Sequence, residues 1–253
     1  MIRTFSVGAM ALVITASTAF AQGAPSRGWL DIDVVSVRPS QDTQTFTYRT
    51  QVFDELASFA SAYPDLPSAN GGNIGGGFNV HPRIGVGVHF VNVNYEMPVG
   101  LAVNVPHPLI FNRFATDSDV ISTLERKDRA IDLLAVYTLP TPDAFRVRVF
   151  GGPTYFQVSQ EMVSDIYFNQ AFNLVGGNIV DITRSDQQQV EGSAWGFNVG
   201  ADVAYFFSRH IGVGGVVRFN QGTVEIDNEP LTEQPAEWKA GHTIVGGGLR
   251  LRF

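Results

Sequence analysis

The sequence predicts an all-β protein: an eight-stranded, antiparallel, up-and-down transmembrane β-barrel with long extracellular loops. Three observations carry that expectation. Apolar and polar residues alternate with period two in eight segments, as side chains do on the two faces of a strand. The links between these segments alternate strictly between short and long. The polar faces collect acids and arginines in nearly equal number, as the interior of a narrow barrel requires.

Composition fits this class. The chain has 253 residues, 44% hydrophobic and only 16% charged. Soluble domains carry about 25% charged residues. A net charge of −7 argues against a nucleic-acid partner, and the absence of cysteine excludes a disulfide framework. Residues 1–21 read as a secretory signal peptide: Arg3 is the positive start, Val7 to Phe20 is apolar or small, and Ala19-Phe20-Ala21 is a small-x-small cleavage site. Residues 22–253 are then the barrel domain, placed after cleavage near Ala21 in the outer membrane of a Gram-negative-type bacterium.

The strands follow in order. Leu30, Ile32 and Val34 share one face, with Asp31 and Asp33 opposite. Ile74, Phe78 and Val80 oppose Asn73 and Asn79. Ile84, Val86, Val88 and Phe90 oppose His89; past Phe90 the apolar parity changes to Val91, Val93 and Tyr95, which predicts a β-bulge near Phe90–Val91. Ile131, Leu133, Ala135, Tyr137 and Leu139 oppose Asp132, and Phe145, Val147 and Val149 oppose Arg146 and Arg148. Trp195, Phe197, Val199, Ala201, Val203, Tyr205 and Phe207 oppose Asn198 and Asp202. Ile211, Val213, Val217 and Phe219 oppose Arg218, and Val245, Leu249, Leu251 and Phe253 oppose His242, Arg250 and Arg252.

The short links are His81-Pro82, Pro140 to Ala144, and Ser208 to His210; the long ones are about 39–70, 98–128, 163–193 and 227–238. Trp29, Tyr137, Tyr205, Phe207 and Phe253 lie near the short-link end and predict an interfacial aromatic girdle, with Trp195 at the opposite rim. The interior is expected to hold Asp31, Asp33, Asp132 and Asp202 against Arg146, Arg148, Arg218, Arg250 and Arg252. Closure pairs the first and last strands, bringing Asp31 and Asp33 near Arg250 and Arg252.

Residues 44–53 read as a strand extension or hairpin above the bilayer. Leu56, Phe59, Ala60 and Tyr63 have helical spacing, which predicts a short helix over Asp54–Tyr63 ended by Pro64. Phe46, Tyr48, Phe53, Phe59 and Tyr63 pack the loop on the simpler reading and form a ligand site on the sharper one. The long links are acidic, but none shows a dense Asp/Asn calcium-loop pattern. The glycine runs at 71–77 and 246–248 lack the Lys-Ser/Thr of a phosphate loop. His89 and His242 point inward without a third convergent partner. Ser208 and His210 are two apart but lie in a turn. No enzyme, cofactor or metal site is expected.

The segments GGGLRLRF and RVRVFGGPTYFQV, with the export signal and the repeated aromatic-apolar strands, resemble the small outer-membrane β-barrel family, including opacity-type and OmpA-like barrels. The resemblance spans 28–253. It implies that Phe253, Leu251 and Leu249, with Val245, form the terminal signal read by the barrel assembly machinery; Gly247 departs from the pattern. It also implies outer-membrane lipids as partners and leaves room for an extracellular ligand of unknown identity; unlike in full-length OmpA, no wall-binding domain is expected after the barrel. Two functional expectations follow. One is a structural or surface-interaction protein whose lumen is plugged by Asp/Arg pairs. The alternative is a narrow porin-like or OmpW-like channel for small solutes.

Overall fold

The computed structural model describes residues 27–226 and 236–253. The signal segment 1–21 and most of the acidic link 227–238 lie outside the described residues. Twelve strands follow one another: β1 (Gly28–Pro39), β2 (Gln44–Val52), β3 (Glu55–Tyr63), β4 (Ala69–His81), β5 (Ile84–Pro106), β6 (Phe114–Thr138), β7 (Phe145–Phe172), β8 (Asn178–Phe206), β9 (Ile211–Gln221), β10 (Thr223–Ile226), β11 (Ala236–Lys239) and β12 (His242–Arg252). All pairings are antiparallel. β1 pairs β4, β4 pairs β5, and the chain of neighbours runs on through β6, β7, β8, β9 and β12 back to β1. That is a closed ring of eight strands. The Gly28 amide donates to the Phe253 carbonyl and the Phe253 amide to that of Gly28, fastening the chain ends together beside the short turns.

The long links differ from expectation. The three that lie within the described residues, 39–70, 98–128 and 163–193, are mostly strand, not loop. β7 has 28 residues and β8 has 29, where about 9–11 suffice to cross a bilayer. β2, β3, β10 and β11 continue β1, β4, β9 and β12 past short interruptions, and β3 pairs β5 above β4. The predicted helix over Asp54–Tyr63 is β3. Phe53 and Asp54 both have positive φ, 51° and 61°, as a two-residue type I′ hairpin turn needs. Ala57, Phe59 and Tyr63 then share the buried face at period two, whereas Leu56 is exposed. Burial of that face against the opposite wall decides between two spacings that the sequence satisfies equally well.

There is no bulge at Phe90–Val91. β4 and β6 stay in register with β5 through both residues. What inverts is the environment. Below this point Val86, Val88 and Phe90 face outward and are exposed, while His89 faces inward. Above it Val91, Val93, Tyr95 and Met97 face inward and are buried, and Asn94 and Glu96 face outward. The same unbroken inversion occurs at Val34-Val35, Ala130-Ile131, Tyr155-Phe156, Ala194-Trp195 and Ile244-Val245. Phe90 pairs Ile131, Ile131 pairs Tyr155, and Tyr155 pairs Trp195, so four neighbouring strands invert in register. The lower half is polar inside and apolar outside. The upper half has an ordinary apolar core that includes Phe59, Tyr63, Met97, Phe156, Met162 and Trp238.

Candidate functional site

The lower interior is the candidate site. Inward parity on β1, β6, β7, β8, β9 and β12 places Asp31, Asp33, Asp132, Arg148, Asp202, Arg218 and Arg250 inside, all buried. They form two knots. In the first, Arg148 Nη2 donates to Asp31 Oδ2 at 2.8 Å and Asp202 Oδ1 at 2.6 Å. Arg250 Nε donates to Asp202 Oδ2 at 2.8 Å and its Nη1 to Asp33. Asn73 Nδ2 donates to Asp33 Oδ2 at 2.8 Å. In the second, Asp132 accepts from Arg218, from Thr154 Oγ1 at 2.6 Å and from Asn220 Nδ2 at 3.0 Å. His89 joins the knots: Nδ1 meets Arg218, and Nε2 lies 3.7 Å from Asp31. The ring has room because Gly75 faces it; a Cβ there would collide with the imidazole.

A third layer seals the polar half from the apolar core. Arg126 donates to both Asp128 oxygens, at 2.7 and 3.1 Å, and to Gln41. His242 Nε2 lies 3.0 Å from Asp128 Oδ2, and the Arg126 guanidinium lies 5.6 Å from the Trp238 ring centroid. Arg126 and Asp128 were missed because they fall in a stretch read as loop. Parity could have found them, since both share the inward face with Asp132 at steps of two. Charges buried this deeply persist only when paired, and removing one partner costs about 3–5 kcal/mol.

Two predicted members stand apart. Arg252 is the cross-strand partner of Trp29, not of an aspartate. It donates to the Arg209 and Asp143 carbonyls, and its guanidinium lies 4.0 Å from the Phe206 ring centroid. Arg146 lies 4.5 Å from the same ring and forms no ion pair with an aspartate among the described residues. Both sit at the short-turn mouth, below the lowest aspartates. Trp29 is also corrected: it is 2% exposed and points inward with Asp31 and Asp33, so it is no girdle residue. Its indole lies against Gly77 and Gly87, 5.4 Å from the Arg148 guanidinium. Tyr137, Tyr205, Phe207 and Phe253 are exposed on the outer face, and Trp195 and Phe197 are exposed near the inversion line. Leu249 is exposed on that face and Leu251 half-buried.

In the upper half, Phe46 stacks on Trp238, Tyr48 on Phe59, and Tyr63 meets Trp238 edge-on, while Phe53 is exposed at the turn and joins none of them. The Tyr63 hydroxyl accepts from the Val163 amide at 2.9 Å, and burial raises its pKa above the ordinary phenol value. Ser208 Oγ accepts from the His210 and Ile211 amides, and His210 Nδ1 lies 3.0 Å from the Arg252 carbonyl oxygen, so both side chains serve the turn.

A closed barrel with an apolar outer belt, rimmed by aromatics and filled with ion pairs, defines an integral membrane β-barrel of the outer-membrane class. No protein-family model matches the chain, and no curated protein matches it. Among solved structures it is similar to the outer membrane protein OprG of Pseudomonas aeruginosa, at 12% identity and TM-score 0.49, over 90% of this chain and 96% of that one. It is also similar to Neisserial surface protein A, at 13% identity and TM-score 0.41, over 89% of this chain and 97% of that one. A third similar structure is the outer membrane protease OmpT of Escherichia coli, at 10% identity and TM-score 0.43, over 91% of this chain and 98% of that one.

Proposed function

We propose that the chain is an outer-membrane barrel with a structural and surface-interaction role, its lumen held shut by ion pairs. Two aspartate–arginine knots and the Arg126–Asp128 layer span the interior one above another. Arg148 ties β7 to β1 and β8 at once, and Arg250 ties β12 to the same two strands. Above these layers lies apolar core. Solutes would have to break paired charges and then cross packed side chains. The reading assigns no catalytic step and no cofactor. The barrel assembly machinery and the surrounding lipids are its partners in biogenesis, with Phe253, Leu251 and Leu249 as the signal that machinery reads. The strands beyond the belt would stand outside the cell and present their tips to whatever lies there.

The test is conductance. The refolded chain is inserted in a planar bilayer after heat-dependent gel mobility shows a folded barrel. Insertion without steady current is expected. Discrete current steps from the wild-type chain would replace the plugged reading with the narrow channel.

A further inference from the structure

Two strands each carry a pair of inward arginines two residues apart: Arg146 and Arg148 on β7, Arg250 and Arg252 on β12. The deeper member of each pair has an aspartate as its cross-strand partner, Asp202 for Arg148 and Asp31 for Arg250. The member nearer the short-turn mouth faces Ala204 or Trp29 instead. Asp31, Asp33, Asp132 and Asp202 are all engaged by Arg148, Arg218 and Arg250. Arg146 and Arg252 are therefore surplus cations.

Arg146 is also a buried one. It is 8% exposed, and its Nε and Nη2 are buried without a hydrogen-bond partner. Buried donors left unmatched in a native fold call for a water or an ion. Water would satisfy the N–H groups but leave the charge uncompensated, which is the costly part. Arg252 stands beside it: the two guanidinium groups lie 4.5 and 4.0 Å from the Phe206 ring centroid. Arg252 Nε and Nη1 donate to the Arg209 and Asp143 carbonyls, and its Nη2 has no acceptor among the described residues. Around the same mouth Arg27, Arg83 and Arg209 are exposed. The one acid in the short turns is Asp143, and none of these five arginines is ion-paired with it or with any other carboxylate among the described residues. A mouth of one sign concentrates anions. One guanidinium fork fills a carboxylate, whereas a phosphate group keeps oxygens for a second donor.

We infer that the short-turn mouth binds a phosphate-type oxyanion, held on the Arg146 fork with Arg252 as the second donor. The site needs only the closed barrel; its opening toward the periplasm rests on the outer-membrane reading. The test uses the full chain, with nitrogen-labelled arginine, refolded in maltoside micelles that contain no phosphate. Inorganic phosphate is titrated in at constant ionic strength. Saturable broadening of the phosphorus NMR line is expected, with a matching shift of the Arg146 Nε–H signal, assigned by its loss in Arg146→Lys. Arg146→Gln should weaken phosphate binding at least ~tenfold, read on the phosphorus line. The substitution breaks no ion pair, so the variant should still form a heat-modifiable barrel; if it does not, the wild-type Arg146 signal decides alone. A second arm replaces inorganic phosphate with phosphatidic acid mixed into the micelles. A response to inorganic phosphate supports a dissolved ligand, and a response to phosphatidic acid alone supports a headgroup of the surrounding leaflet. An Arg146 signal unmoved in both arms would overturn the inference, as would displacement of phosphate by equimolar chloride or undiminished binding by folded Arg146→Gln. Failure of the wild type to form a heat-modifiable barrel would strike the membrane reading itself, and the site with it.

Discussion

Val199→Arg measures the belt directly. Val199 points outward from β8 and is 53% exposed. It lies four residues below Trp195, where the facing preference inverts, and eight above Phe207 at the short-turn end. At ~3.3 Å per residue and a strand tilt near ~40°, each residue spans about 2.5 Å of depth. The belt from Trp195 to Phe207 is therefore about 30 Å tall, and Val199 lies about 10 Å beneath its upper edge. An arginine reaches only part of that distance by snorkelling. Charged substitution near the midplane costs ~2–4 kcal/mol, and we expect about 2 kcal/mol or more here. Ser193→Arg, two residues above Trp195 on the same face, should cost about 0–1 kcal/mol. The assay is a urea titration of folding into lipid vesicles, read as the folded fraction on a cold gel. Equal costs for the two variants, or a larger one for Ser193→Arg, would refute the placement of the boundary.

Asn198→Arg faces inward and should show no bilayer penalty. It strips the Asn198 amide bonds to the Gly152 and Pro153 carbonyls and Thr154 Oγ1, so a loss of about 1–3 kcal/mol is expected in the same titration. Arg250→Leu leaves Asp33 and Asp202 short of a partner and should cost about 3–5 kcal/mol, seen as a fall in the urea midpoint. Tyr63→Phe leaves the buried Val163 amide without its acceptor and should cost about 1–3 kcal/mol, with faster amide exchange at Val163 as the specific readout. Phe253→Ala should slow assembly in cells, scored as accumulation of unfolded chain, while the purified variant refolds in vesicles at near the wild-type yield.

Much of the lower half was legible in the sequence. Period-two patterning names its strands because one face meets lipid and the other meets charge. The Asp31–Arg250 neighbourhood follows from counting inward from both chain ends. The upper half was misread for one physical reason. Once the outside is water, hydrophobic residues move to the inner face, so the pattern changes phase with no change in backbone. Phe90-Val91 then imitates a bulge, and the polar outward face of β7 and β8 above the inversion imitates loop. Trp29 was misplaced because residue type suggested an interface, while its step of two from Asp31 put it inside. The helical reading of β3 failed because Phe59 and Tyr63 fit both periods, with Leu56 and Ala60 at helical spacing and Ala57 at period two, and only the opposite wall decides.

The continuity of β5, β6, β7 and β8 has a mechanical consequence. The other four strands of the ring are interrupted above the belt and resume as separate pieces, whereas these four run unbroken from the short-turn end to the tip. A pull applied at the tip travels along covalent backbone into the bilayer. It loads the β7–β8 ladder lengthwise, so many hydrogen bonds share the force instead of parting one by one. The interrupted strands can yield at residues 40–43 and 64–68 without disturbing that line. The molecule is built as a stiff tether on one side and a compliant wall on the other.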